Sequence, residues 1–189
     1  MNYPLIIKEM PKEEFGPLFQ HHVHSVFTGD HSFALSDALT GSELEQLNEL
    51  DSRLGAPMHL YFGAFDKSDR FVGWTWGKQE PKAKFCMVNS GVLESERRKG
   101  IYSALLQTTV ATVSAMGFQV IYSRHCATNN AVIIPKLKAG FVISKFEIDD
   151  THGVLVHLHY YTNELRRKAV DYRSGQTALD DELKRLFKI

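Results

Sequence analysis

Arg97, Arg98 and Lys99 run directly into Gly100, and an apolar helical pattern begins at Ile101. The first amides of a helix have no partners inside it, and the aligned peptide dipoles make that end positive. A glycine has no Cβ, so backbone and anion can approach closely. Two guanidinium groups and an ammonium add donors and charge. Together these residues describe an anion site at a strand-to-helix turn. A solvated basic turn ahead of a helix is the plainer alternative, because short glycine motifs recur by chance. Tyr102 stands where a phosphate loop would take a small residue. At about 100° per residue it shares one arc with Ile101, Leu105, Leu106, Val110, Val113 and Met116, so its ring is expected in the sheet-facing core while its amide stays at the helix end.

The elements that must position this turn can be read from periodicity. Tyr3 to Lys8 reads as a first strand, and Pro11 opens a helix to about Phe27 with Phe15, Leu18, Phe19 and Val23 on one face. Thr28 to Thr40 reads as a loop or short helical turn. Ser42 and Glu45 have capping-box spacing ahead of a stripe of Leu44, Leu47, Leu50 and Leu54. Strands follow at His59 to Phe65 and Phe71 to Gly77 around a turn, then at Lys84 to Leu93. The central helix is expected from about Arg98 to Met116, closed by Gly117. Phe118 to Arg124 reads as a strand, Asn130 to Lys138 as a short helix, Phe141 to Ile148 and Val154 to Tyr161 as the last strands, and Leu165 to Val170 and Ala178 to Phe187 as terminal helices. This order implies a mixed sheet with helices on both faces in one domain.

Composition narrows the function classes. The chain has 189 residues, 43% of them hydrophobic, which suits a globular domain with a sizeable core. Lys plus Arg and Asp plus Glu balance at 22 each, so no global charge draws it to nucleic acid or an acidic membrane, and anion binding must be local. The start lacks the features of a signal peptide, and no apolar run reaches the roughly 18 to 20 residues of a membrane span. Cys86 and Cys126 have no metal spacing and are too few for a disulfide scaffold. A reduced, cytoplasmic protein without a metal is expected, and a homodimer is compatible with the chain.

The spacing Arg97-x-x-Gly100, after a strand and before a long helix, resembles the acyl-CoA signature Arg/Gln-x-x-Gly-x-Gly/Ala of the GNAT (Gcn5-related) N-acetyltransferases. Val92 stands at the place of that superfamily's strand-end hydrophobic residue. Downstream, TNNAVIIPKLKAGF is similar to its second cofactor-side segment, with Asn129, Ala131, Lys138, Gly140 and Phe141 in register. The resemblance covers Lys84 to Ile148 closely and the earlier elements in order only. It implies an α/β (α+β) fold with a mixed, mostly antiparallel sheet of about seven strands and a V-shaped splay between the fourth and fifth. It also implies acetyl-CoA as co-substrate, with the pantetheine arm along Val88 to Val92, the pyrophosphate on the amides of Arg98 to Tyr102, and Asn129 reaching from the other side; Val92, Arg97, Arg98, Lys99, Gly100, Ile101, Tyr102 and Asn129 are the cofactor-binding residues it implies. A primary amine of a small molecule or peptide would attack the thioester in a ternary complex. A catalytically silent acyl-CoA-binding module of the same fold is the rival reading.

The sequence departs from the family in two places. Tyr102 occupies the last small position of the loop signature. A tyrosine that commonly protonates the leaving thiolate, four residues before the Gly-Phe pair, is replaced by Lys136 after Pro135. A lysine there could protonate the thiolate or bind a phosphate, but the ordinary expectation is a solvated helix residue. Tyr160, Tyr161 and Tyr122 are substitutes by type. Glu80, His125, His157 and His159 are candidate bases; His157 and His159 alternate along one strand and share a face. Cys126 is expected as a buried small hydrophobe, Trp74 and Trp76 as core, and His21, His22 and His24 as polar helix residues rather than metal ligands. The candidate catalytic residues are thus Lys136, His157 and Tyr160.

Overall fold

The computed structural model describes residues 4–27, 39–52, 55–81 and 83–189. Strand β1 (Leu5–Glu9) leads into α1 (Lys12–Val26) and α2 (Gly41–Ser52). Three antiparallel strands follow, β2 (His59–Asp66), β3 (Phe71–Glu80) and β4 (Lys84–Val92). Helix α3 (Ile101–Ala115), β5 (Val120–Cys126) and α4 (Asn130–Lys138) come next. The hairpin β6 (Val142–Asp149) and β7 (Gly153–Tyr161) and the helices α5 (Glu164–Arg173) and α6 (Asp181–Phe187) complete the chain. The seven strands are ordered β1-β2-β3-β4-β5-β7-β6, and only β4 and β5 run parallel. Hairpin pairing of β6 with β7 was legible in the sequence; the insertion of β7 beside β5 was not.

Two apolar layers hold the sheet. On one face Leu60, Phe62, Phe85, Met87, Ile121, Val156 and Leu158 pack against Ile101, Leu105, Leu106 and Val113 of α3 and Ile133 of α4. On the other, Phe65, Phe71 and Trp74 pack against Phe15 of α1, with Leu18, Phe19 and Val23 beside it. The first is the α3 face of the sheet and the second the α1 face. Trp74 is fully buried in the second layer, as the strand alternation predicts.

Several boundaries differ from expectation for local reasons. Helix α3 starts at Ile101 rather than Arg98, because Arg98 (φ 64°) and Gly100 (φ 83°) are both left-handed and cannot continue a right-handed helix. Met116 lies beyond its last turn and is exposed instead of joining the buried arc. The capping box of α2 is Thr40 with Glu43, whose carboxylate accepts from the Thr40 amide at 2.8 Å, and not Ser42 with Glu45. The expected strand residue Tyr3, the loop residues 28–38 and Leu54 of the α2 stripe lie outside the described residues.

Candidate active site

Strands β4 and β5 pair only over Lys84–Val120, Phe85–Ile121 and Cys86–Tyr122. Beyond that point they separate, giving the expected splay. A bulge at Val88 helps to open it: Met87 pairs with Gly77 and Asn89 with Trp76, so Val88 is the extra residue and β4 bends there. The edge of β4 from Val88 to Val92 that faces the gap has no ladder partner, while its other edge is held by β3. Trp74 Nε1 donates to Asn89 Oδ1 at 2.8 Å, and the Thr75 and Ser90 hydroxyls meet at 2.8 Å, so these side chains are fixed from the β3 side.

The gap opens into a cleft of about 1090 Å³. Its walls are Met87 to Ser90 of β4, Arg124 to Cys126 of β5, the last turn of α1 with Val23 and His24, and Asn129, Val132 and Lys136 at α4. At the point of the fork, the first residues past the last ladder pair are Met87 and Ser123. Lys136 reaches both: its Nζ donates to Ser123 Oγ at 2.6 Å and lies 3.4 Å from Met87 Sδ. The Phe141 ring stands under the same nitrogen, its centroid at 5.0 Å. Lys136 is 1% exposed. This corrects the sequence expectation of a solvated residue: a nine-residue helix turns Ile133 and Lys136 together onto the sheet. Among the described residues no carboxylate is bonded to it. Burial drives its pKa down from 10.5 to about 7, against a smaller opposing effect of the Cys86 thiol on the other side of β4.

Ser123 also bonds His125, whose Nε2 lies 2.8 Å from the hydroxyl. Burial first, and the Lys136 charge second, lower the His125 pKa from 6.5 to about 3, so the imidazole is neutral at physiological pH. His125 is one of the expected candidate bases, whereas Ser123 is not among the expected site residues. Its signal was available: in the alternation Ile121, Ser123, His125 a serine occupies a core-facing strand position.

The basic turn leaves β4 through Leu93 and a short 3₁₀ turn, Glu94–Glu96. Glu96 is buried and accepts from Arg70 Nη2 at 2.6 Å and Lys99 Nζ at 2.8 Å. Arg97 donates to the carbonyls of Val92 at 3.5 Å and Val26 at 3.3 Å, tying the turn to both walls of the cleft. Lys99 and Arg97 therefore brace the loop. No side chain caps α3, and the space where a Gly100 Cβ would stand is open to 4 Å. Among the described residues, therefore, the first-turn amides of α3 meet no capping side chain and Gly100 leaves the approach to them open. Tyr102 is half-buried against the α3-face core, as its place on the helix wheel predicts, and burial raises its phenol pKa.

The other candidates lie elsewhere. His157 is 4% exposed, hydrogen-bonded to Glu147 and stacked on Tyr122, outside the cleft lining. It does share the α1 face with His159, as the alternation requires, but that part of the face lies beyond β5. Tyr160 packs against Phe141 and Gly140 on the α3 face. Tyr122 donates to Glu80 at 2.5 Å. Cys126 is exposed and lines the cleft, so the expectation of a buried hydrophobe is wrong: β5 runs two residues further than predicted and carries Cys126 beyond the last pair with β4. Among the described residues no group of three His, Cys, Asp or Glu could hold a metal ion, and no helix is long and apolar enough to cross a membrane.

A sequence model described as the acetyltransferase (GNAT) family matches residues 21–141. No curated protein matches the sequence. Among solved structures, the ribosomal-protein-S18-alanine N-acetyltransferase of Escherichia coli is similar at a TM-score of 0.61 and 13% identity, over 84% of this chain and 94% of that one. Arabidopsis thaliana NAA60, solved with a bisubstrate analogue, is similar at 0.59 and 17%, over 83% and 97%. The PaiA N-acetyltransferase of Thermoplasma acidophilum, solved with coenzyme A, is similar at 0.56 and 16%, over 82% and 99%.

Proposed function

Because the chain belongs to the acetyltransferase (GNAT) family, we propose that it moves an acetyl group from acetyl-CoA directly to a primary amine of a small molecule or peptide. The observation that carries this reading is Lys136, a buried amine with no carboxylate partner among the described residues, at the point where β4 and β5 part. The rest of the site fits the co-substrate. The amides from Ile101 onward and the open Gly100 would hold the pyrophosphate. The unpaired edge of Val88 to Val92 would hydrogen-bond the pantetheine amides as an added strand. Asn129 lines the opposite wall. Two solved proteins of similar fold hold coenzyme A and a bisubstrate analogue, which supports acetyl-CoA as the co-substrate.

Acetyl-CoA supplies an activated acyl carbon and a thiolate leaving group. The chain's own residues must then orient the two reactants and manage protons. Lys136, with a pKa near 7, carries a transferable proton at neutral pH and can deliver it to the sulfur, the task left open by the missing tyrosine. Titration calorimetry with acetyl-CoA, followed by a turnover assay over a broad amine panel, tests the reading. Micromolar binding with acetyl transfer is expected. Absence of binding at millimolar acetyl-CoA refutes it, and binding without transfer to any amine replaces it with a silent acyl-CoA module.

A further inference from the structure

We infer that Ser123 and His125 complete a proton relay with Lys136, in which His125 takes the proton released by the acceptor amine and Lys136 delivers it to the departing thiolate. This rests on the transferase reading above. The geometry is a continuous chain of short contacts, Lys136 Nζ to Ser123 Oγ at 2.6 Å and Ser123 Oγ to His125 Nε2 at 2.8 Å. Its two ends line the cleft, whereas Ser123 is 0% exposed and serves only as the link. A hydroxyl has one proton and two acceptor sites, so it can receive a proton on one side and pass its own on the other. Acid and base thus sit on one face of one strand fork, joined by a residue that touches neither reactant.

The step balances. At rest the Lys136 Nζ–H donates to Ser123 Oγ; a pKa of about 7 leaves a neutral amine in about half the molecules at pH 7, and in that state the Ser123 hydroxyl turns its proton to Nζ while His125 Nε2–H donates to Ser123 Oγ. The acceptor nitrogen forms its bond to the acyl carbon and releases a proton to His125 Nδ1. The Nε2 proton moves to Ser123 and the Ser123 proton to Lys136, giving an ammonium. The carbon–sulfur bond breaks, sulfur keeps the electron pair, and Lys136 protonates it. Lys136 is neutral again, and exchange of the cleft-lining imidazole with solvent restores its tautomer. The two ends are coupled in the required sense. Burial holds His125 low first and a charged Lys136 lowers it further, so loss of the Lys136 proton makes the imidazole a better base. The groups facing this chain are Cys86 across β4, Met87 beside the ammonium and the Phe141 ring beneath it.

Single-turnover acetyl transfer in Ser123→Ala, Ser123→Thr and His125→Gln tests the relay, with acetyl-CoA affinity measured in parallel. Ser123→Ala should slow the chemical step by about 10²-fold, the usual loss of a proton-transfer route, with affinity unchanged within about threefold. Ser123→Thr keeps the hydroxyl and should recover most of the rate. The wild-type solvent deuterium effect should show more than one proton in flight, reduced to one in Ser123→Ala. His125→Gln should lose rate without losing affinity. A Ser123→Ala rate within threefold of wild type, an unaltered proton inventory, or a Ser123→Thr variant as slow as alanine overturns the relay. Failure of the wild type to bind acetyl-CoA at all instead removes the transferase reading, and the relay with it.

Discussion

Replacing Lys136 by methionine should make the protein more stable and less active, and the size of the first effect follows from the site. Methionine nearly matches the lysine stem in length and meets the same Met87 and Phe141 surroundings, so little cavity forms. The wild-type amine is depressed from 10.5 in the unfolded chain to about 7 in the folded one. At about 1.36 kcal/mol per pKa unit, that fall of about 3.5 units sets a ceiling of about 5 kcal/mol on the cost of charging the buried group. Loss of the bond to Ser123 offsets part of the gain at about 1 kcal/mol. A net stabilisation of about 1–4 kcal/mol at pH 6 is expected, the range seen when buried ionic groups give way to packed hydrophobes. Between pH 7 and 10.5 the unfolded chain binds the Lys136 proton and the folded chain does not, so wild-type stability from this residue rises with pH across that window. Lys136→Met should remove that rise. Urea unfolding of both proteins from pH 6 to 8.5, where the burial-raised Cys86 thiol does not yet titrate, reads the difference directly. A variant less stable than wild type at pH 6, or a stability difference that does not shrink as pH rises, would refute the reasoning.

Other expectations follow from the loop and its supports. Gly100→Asp should weaken acetyl-CoA binding at least tenfold by calorimetry; with nothing within 4 Å of the new Cβ, the fold should lose only the left-handed penalty of about 1 kcal/mol. Glu96→Gln removes the buried charge that holds Arg70 and Lys99, and should cost about 2 kcal/mol in urea unfolding while also weakening acetyl-CoA binding. Gly91→Ala places a Cβ 2.4 Å from Trp74 Cζ2, so denaturation followed by tryptophan fluorescence should show a loss of about 1–3 kcal/mol.

The contrast between Tyr102 and Lys136 shows where sequence reasoning succeeds and stops. Tyr102 lies on a fifteen-residue helix whose periodicity fixes its arc, so its inward ring was legible. Lys136 lies on a nine-residue helix too short for a firm period, and its residue type argues for solvent. Its burial arises from Met87 and Ser123, residues 49 and 13 positions away, which meet only because a parallel pair opens at Cys86–Tyr122. His157 illustrates a second limit. Alternation gave its face correctly, but which part of that face borders the cleft depends on β7 lying beyond β5. The roles of Arg97 and Lys99 were similarly hidden, since bracing contacts to Val26 and Glu96 require the folded chain.

The central claim, that Lys136 at the strand fork manages the proton of acetyl transfer, is tested most directly by the single-turnover rate of Lys136→Met with saturating acetyl-CoA at pH 7. A loss of about 10²-fold or more is expected, with acetyl-CoA affinity preserved within about threefold. A rate within threefold of wild type would contradict it.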